Sequence, residues 1–156
     1  MDHWQFAYGS NLLRDQMLAR TGPIGITDDA PRIVSLPGHR LAFNMLGGDG
    51  QVYANIVQPG DGVFGVVYRC GREALEKLDA YEDGYERQEV VVIDANGVEL
   101  GAFVYVARPE RVTAEAAPSA MYLQRILTGA RAHGLPEEYI QVIEATALVD
   151  RLRQKV

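Results

Sequence analysis

Val90-Val91-Val92-Ile93-Asp94-Ala95-Asn96-Gly97-Val98-Glu99-Leu100 is the stretch that decides the fold. Two β-rich runs, 87–94 and 98–107, flank an Asn96-Gly97 pair, the strongest short-range signature of a β-hairpin. Toward the N-terminus, further strands are predicted at 32–36, 39–45, 52–58 and 63–70, broken by Pro37-Gly38, Gly47-Gly48-Asp49-Gly50 and Pro59-Gly60-Asp61-Gly62. The last of these breaks has hairpin spacing, so 52–58 and 63–70 are expected to pair. Between 70 and 87 a helix is predicted over 71–81, where Ala74, Leu75 and Leu78 recur at helical intervals and Gly84 closes the segment.

Beyond Pro109 the pattern becomes helical. Ser119 can cap a helix running through His133, with Tyr122, Ile126 and Ala130 on one stripe, Leu123 and Leu127 beside it, and Gly134 as terminator. Pro136, Glu137 and Glu138 suit the start of a last helix, and the basic residues Arg151, Arg153 and Lys155 suit its end. The architecture expected is α+β: a small mixed, mostly antiparallel β-barrel surrounded by helices, forming one domain over 1–156.

At the N-terminal end, Trp4, Phe6 and Tyr8 alternate with His3, Gln5 and Ala7 at strand period, and Leu12, Leu13, Met17 and Leu18 follow at helical spacing. After the first helix, Gly22-Pro23 ends the regular pattern. The strand-to-helix junction is Tyr8-Gly9-Ser10-Asn11-Leu12. Gly9 permits backbone angles that other residues avoid, and Ser10 or Asn11 can cap the helix, so backbone amides would converge on a carboxylate or an oxyanion. The same residues also fit an ordinary capped turn.

Composition narrows the classes of function. With 156 residues, 47% hydrophobic and 23% charged, no apolar run is long enough to span a membrane, and Met1-Asp2-His3-Trp4 leads into a strand without a secretory pattern. A soluble, cytoplasmic protein with no membrane partner is expected. The net charge of −6 and scattered arginines lack the footprint of a nucleic-acid binder. A single cysteine, Cys70, excludes an internal disulfide and a thiolate zinc cluster; at the end of an apolar strand it reads as a buried, inert thiol. His3, His39 and His133 are far apart, and the acidic run 79–86 lacks the frame of a calcium loop, so no metal is expected. Ser10 does not lie in Gly-x-Ser-x-Gly, which argues against a serine hydrolase.

The densest ionisable stretch is Asp79-Ala80-Tyr81-Glu82-Asp83-Gly84-Tyr85-Glu86. Leu75, Leu78 and Glu82 stand at i, i+3 and i+7, so a helix persisting to 82 would project Glu82 from its buried face and raise its pKa into the range of a general acid/base. A helix ending earlier would leave a solvated acidic loop. Asp79, Asp83 and Glu86 read as solvated or capping residues, and Tyr122 as a packing residue with a polar tip.

Four stretches in order resemble the γ-glutamylcyclotransferase family: Phe6-Ala7-Tyr8-Gly9-Ser10-Asn11-Leu12; Pro59-Gly60-Asp61-Gly62-Val63-Phe64-Gly65-Val66-Val67-Tyr68; Leu78-Asp79-Ala80-Tyr81-Glu82; and Pro118-Ser119 through Tyr122, with Gly129-Ala130 and Gly134-Leu135-Pro136-Glu137-Glu138-Tyr139. The resemblance implies a barrel with a pocket at one mouth and release of 5-oxoproline from a γ-glutamyl amide, without cofactor, by attack of the substrate's own α-amine. It implies Glu82 as the acid/base, glutamyl binding on Tyr8, Gly9, Ser10, Asn11 and Leu12, and a supporting hydroxyl at Tyr122. A homodimer is compatible with it. The family's glutamate is commonly followed by Gly, whereas this chain has Asp83, a second carboxylate expected to raise the pKa of Glu82 further or to alter the turn. The leaving amine, whether of an amino acid, a dipeptide as in glutathione, or another amine, is expected to be chosen by the loops at 47–50 and 107–117. The competing reading is a non-catalytic module binding a small ligand or a protein at the same barrel mouth.

Overall fold

Strand β5 (Val63–Cys70) organises the molecule, because it takes a neighbour on each edge: β1 (His3–Ala7) and β2 (Arg32–Leu36), both antiparallel. Its Val63, Val66, Val67, Tyr68 and Cys70 are buried, as a strand covered on both faces requires. From β2 the sheet continues to β6 (Tyr85–Asp94) and β7 (Glu99–Ala107), and a short parallel pairing at Gln5 and Phe103 closes β7 onto β1. The result is a closed five-stranded barrel with one parallel contact in an otherwise antiparallel set. The computed structural model describes residues 3–22 and 30–154, with side chains described up to 148. Met1, Asp2 and Pro23, and the side chains of Arg151, Arg153 and Lys155, lie outside the described residues.

Strand β3 (Arg40–Leu46) and strand β4 (Val52–Val57) pair with each other across the turn at 47–50 and form a separate ribbon. The expected pairing of 52–58 with 63–70 is therefore incorrect. Both edges of β5 are occupied, and the chain between β4 and β5 crosses from ribbon to barrel; the Gly62 N–H donates to the His39 carbonyl at 2.7 Å on the way. A buried asparagine, Asn55, bonds the ribbon to the barrel and to a second, Asn44, on the neighbouring strand. Asn55 Nδ2 donates to Asn44 Oδ1 at 2.9 Å, and Asn55 Oδ1 accepts the Ala107 N–H at 2.9 Å, so both ends of the buried Asn55 amide are paired.

The β6–β7 turn also differs in detail. Ala95-Asn96-Gly97 is a three-residue loop in which Gly97 takes a positive φ of 80° and Asp94 Oδ1 accepts the N–H groups of Asn96 and Val98. Asp94 side-chain bonding favours this longer loop over a two-residue Asn-Gly turn.

Helix α1 (Arg14–Thr21) and helix α2 (Arg72–Asp79) pack together, the latter burying Ala74, Leu75 and Leu78. Helix α3 (Ala120–His133) is capped by Ser119 Oγ, which accepts the Tyr122 N–H at 3.2 Å, and ends at Gly134 in the left-handed region. Helix α4 (Glu137–Gln154) starts with the Pro136 carbonyl accepting the Ile140 N–H. Among the described residues no helix is long and apolar enough to cross a membrane.

Replacing Ser119 with Ala removes the acceptor of an otherwise unpaired helical N–H. A loss of about 1 kcal/mol of stability is expected, measurable as a lowered urea midpoint with unchanged m-value.

Candidate active site

The first strand runs out at Ala7, and the chain turns through a single 3-10 turn, Ser10–Leu12, before α1 begins. The expected capping does not occur: the residues flanking the two helical segments are Gly9 and Leu13, and neither Ser10 nor Asn11 caps α1. Nor does Gly9 use a positive φ; its φ is −114°. Its small size matters instead, since a Cβ there would stand 3.3 Å from the Ala54 Cβ and 3.4 Å from the Tyr122 hydroxyl. The turn's own bonds run from the Leu12 N–H to the Gly9 carbonyl and from the Leu13 N–H to the Ser10 carbonyl, both 3.0 Å. They engage neither the Ser10 nor the Asn11 N–H.

The back of this turn is fixed from outside. Tyr68 Oη donates to the Asn11 carbonyl at 2.9 Å, and His133 Nε2 lies 2.9 Å from the Leu12 carbonyl. Burial pushes the His133 pKa down, in keeping with a neutral ring donating Nε2–H to that carbonyl. Helix α3 comes so close that a Cβ at Gly129 would stand 2.4 Å from the Leu12 carbonyl carbon and 2.5 Å from the Leu13 nitrogen. Leu12 is itself fully buried.

In front of the turn lies a cavity of about 440 Å³, walled by Tyr8, Gly9, Ser10 and Asn11, by Glu82, and by Tyr122. The loops at 47–49 and Arg111 contribute to its rim. The described residues hold no cluster of metal-ligating side chains.

Glu82 reaches this cavity by a route other than the one expected. Helix α2 stops at Asp79, and successive short turns follow: the Tyr81 N–H donates to the Leu78 carbonyl at 2.9 Å, the Glu82 N–H to the Asp79 carbonyl at 3.2 Å, and the Tyr85 N–H to the Glu82 carbonyl at 3.1 Å. The helical premise for Glu82 therefore fails, and so does the solvated-loop alternative: the turns lead the side chain inward, where it is 11% exposed. Desolvation raises its pKa above the ordinary carboxyl value, and Asp79 adds to the rise; Arg20 and the Asn11 bond oppose it. The Asp83 carboxylate turns outward to Arg111 at 2.8 Å and is 87% exposed.

Tyrosines line the remaining wall. Tyr8 Oη donates to the Tyr105 carbonyl at 2.6 Å, Tyr85 Oη to the Ala54 carbonyl at 2.6 Å, and Tyr105 Oη to Asp79 at 2.5 Å. Tyr122 Oη instead accepts the Ala54 N–H at 3.1 Å. Burial raises the pKa of all four, so each stays protonated at neutral pH.

Sequence reasoning missed Arg20 and Gln16. Gln16 Nε2 donates to Ser10 Oγ at 2.7 Å and to Asn11 Oδ1 at 3.2 Å; Arg20 Nη1 donates to Asn11 Oδ1 at 3.1 Å and lies 3.4 Å from Glu82 Oε1. Their spacing of four on a short helix was the available signal, because it places both on one face directly after the turn.

The closed barrel, its flanking ribbon and a cavity holding one desolvated carboxyl beside the turn at Ser10–Leu12 define the chain as a small barrel protein with a polar-lined cavity. The comparisons with known proteins give the class its family. A model of the AIG2-like family matches residues 62–143. The gamma-glutamylcyclotransferase of Homo sapiens is 33% identical over 150 residues, which cover 90% of this chain and 76% of that protein; that of Mus musculus is 31% identical with the same coverage. A solved structure of a gamma-glutamyl cyclotransferase superposes with a TM-score of 0.80 at 31% identity, covering 93% of this chain and 88% of that one. The chain belongs to this family, AIG2-like in fold and gamma-glutamylcyclotransferase by its relatives' names.

Two outcomes follow from this geometry. Ala at position 129 would gain up to about 1 kcal/mol of helix propensity, but its Cβ would collide with backbone that cannot rotate away. A lowered melting temperature and displaced amide resonances for Ser10 and Asn11 are expected in Gly129→Ala. For Glu82, a folded-state pKa above the unfolded value makes folding most favourable below the unfolded carboxyl pKa, with a penalty that grows as pH rises through the folded pKa. Glu82→Gln is therefore expected to be more stable than the parent at pH 8, with the difference vanishing toward pH 4, in urea titrations at the two pH values.

Proposed function

We propose that this chain is a gamma-glutamylcyclotransferase in which Glu82 moves the proton. The observation that supports this reading is a desolvated carboxyl, Glu82, lining the same small cavity as the turn residues Ser10 and Asn11, whose N–H groups the turn's own bonds do not use. Ring closure needs little else. The α-amine nitrogen of a γ-glutamyl compound attacks its own γ-carbonyl carbon, a C–N bond forms, and the bond to the leaving nitrogen breaks to give 5-oxoproline and a free amine.

The reaction is intramolecular, so folding the glutamyl chain into a near-attack geometry removes much of the barrier. Glu82 accepts a proton from the α-ammonium and returns it to the departing nitrogen. A carboxyl raised toward neutrality by burial is suited to both halves of that exchange. The Ser10 and Asn11 N–H groups and the Tyr122 hydroxyl are the donors available to the glutamyl carboxylate and to the tetrahedral oxyanion. Tyr8, Gly9 and Leu12 shape and fix the turn, and no cofactor enters any step. A non-catalytic ligand-binding module would have no use for the cost of burying Glu82.

Incubation with γ-glutamyl amino acids and γ-glutamyl amines, followed by mass spectrometry, is expected to show 5-oxoproline from at least one. Glu82→Gln preserves shape and removes proton transfer, and turnover is expected to fall by at least about 100-fold. Absence of product from the whole panel would defeat the proposal.

A further inference from the structure

Both polar contacts to the Glu82 carboxyl described above fall on one oxygen. Asn11 Nδ2 donates to Oε1 at 3.1 Å, and Arg20 Nη1 lies 3.4 Å from the same atom. Asn11 is not free to turn over, because its Oδ1 already accepts from Arg20 Nη1 and Gln16 Nε2; the amide oxygen faces the cation and the amide nitrogen faces the carboxylate. Arg20 is three-quarters buried and lies over the Tyr81 ring, 5.3 Å from its centroid.

We infer that Arg20 is a positioning residue for Glu82: with Asn11 it holds Oε1 as a fixed acceptor, so that Oε2 is the oxygen that exchanges a proton with substrate. A proton on Oε1 would point into two N–H donors, whereas Oε2 meets no such conflict. The inference rests on Glu82 being the proton-exchanging group. The surroundings single out Arg20 as the source of this control. Facing Glu82 are Asn11 from the turn, Asp79 from α2, Tyr8, Tyr85 and Tyr105 from the barrel, and Tyr122 from α3. The tyrosines are neutral and Asp79 raises the Glu82 pKa; of the other cations lining the cavity Arg111 pairs with Asp83 and Arg125 stands on α3, and Arg20 is the cation that acts against burial.

The test titrates the Glu82 side-chain carboxyl directly, by ¹³C NMR of the substrate-free protein, with the resonance assigned by its loss in Glu82→Gln. Arg20→Met is expected to move the midpoint up by about one pH unit or more, and the acidic limb of kcat/KM for 5-oxoproline formation is expected to move with it. Arg20→Lys should restore most of both shifts; Arg20→Gln, neutral and polar, should behave like Arg20→Met and serves if the methionine variant does not fold. An unmoved midpoint in the neutral variants overturns the inference. So does a rise in KM with the acidic limb in place, which would assign Arg20 to an anionic group of the substrate. A parent protein that forms no 5-oxoproline defeats the acid/base reading instead, and the NMR titration still decides whether Arg20 governs the carboxyl.

Discussion

The parallel contact between β1 and β7 is the constraint on which the rest of this structure depends. Four of the five strand neighbours in the barrel are antiparallel, and only the register at Gln5 and Phe103 closes the ring. A single parallel pairing is weak by itself, and it is reinforced around its ends: His3 packs edge-on against Phe103 with centroids 5.3 Å apart, and Tyr8 Oη reaches the Tyr105 carbonyl. Because β1 is held there, the turn that follows it emerges beside the start of β6. That adjacency brings residues 8–11 to Glu82, more than seventy positions away in the chain.

Closing the barrel also creates the electrostatic problem that the site resolves. A carboxyl in a cavity lined by Tyr8, Tyr85, Tyr105 and Tyr122 loses most of its hydration, and Asp79 raises its pKa further. An isolated ionised carboxyl in such a place would give up its charge. Arg20 and Asn11 reduce the penalty without removing it, which is why the pKa stays raised and does not fall as in an exposed ion pair. The two opposed influences arrive from different elements, burial from α2 and the barrel, and compensation from α1 and the turn. The α1–α2 packing therefore sets a chemical property as well as a structural one.

Much of the fold was legible because strand and turn residues obey local rules. The boundaries of β2 and β5, the Ser119 cap and the Gly134 stop follow from short-range chemistry, and they stand where the pattern put them. Strand partners were harder, since β4 and β5 are adjacent in sequence with a turn-rich break between them, yet β5 had two better neighbours from elsewhere. The site was legible in part. Glu82 stood out through a helical spacing that the structure does not keep, because three short turns carry it inward after α2 has ended. Arg20 and Gln16 share a helix face by their spacing of four, but that spacing alone does not say that the face looks back on the side chains of the turn, which are their partners.

The tyrosines give the cavity its last property. Each carries a pKa raised by burial, so none adds negative charge near neutrality, and Arg20 and Asp79 are the charged groups that act on the Glu82 carboxyl. Their hydroxyl protons are not equivalent, however. Tyr8 and Tyr85 spend theirs on backbone carbonyls and Tyr105 on Asp79, so these three act as struts between strands. Tyr122 Oη accepts a hydrogen bond from the Ala54 N–H, which leaves its own O–H to point elsewhere and polarises it in the direction of donation. In the proposed ring closure the developing oxyanion needs donors that are already oriented and carry no charge to be neutralised. A hydroxyl held by its oxygen, on the same cavity as the turn residues Ser10 and Asn11, meets that requirement in a way that the three strut tyrosines do not.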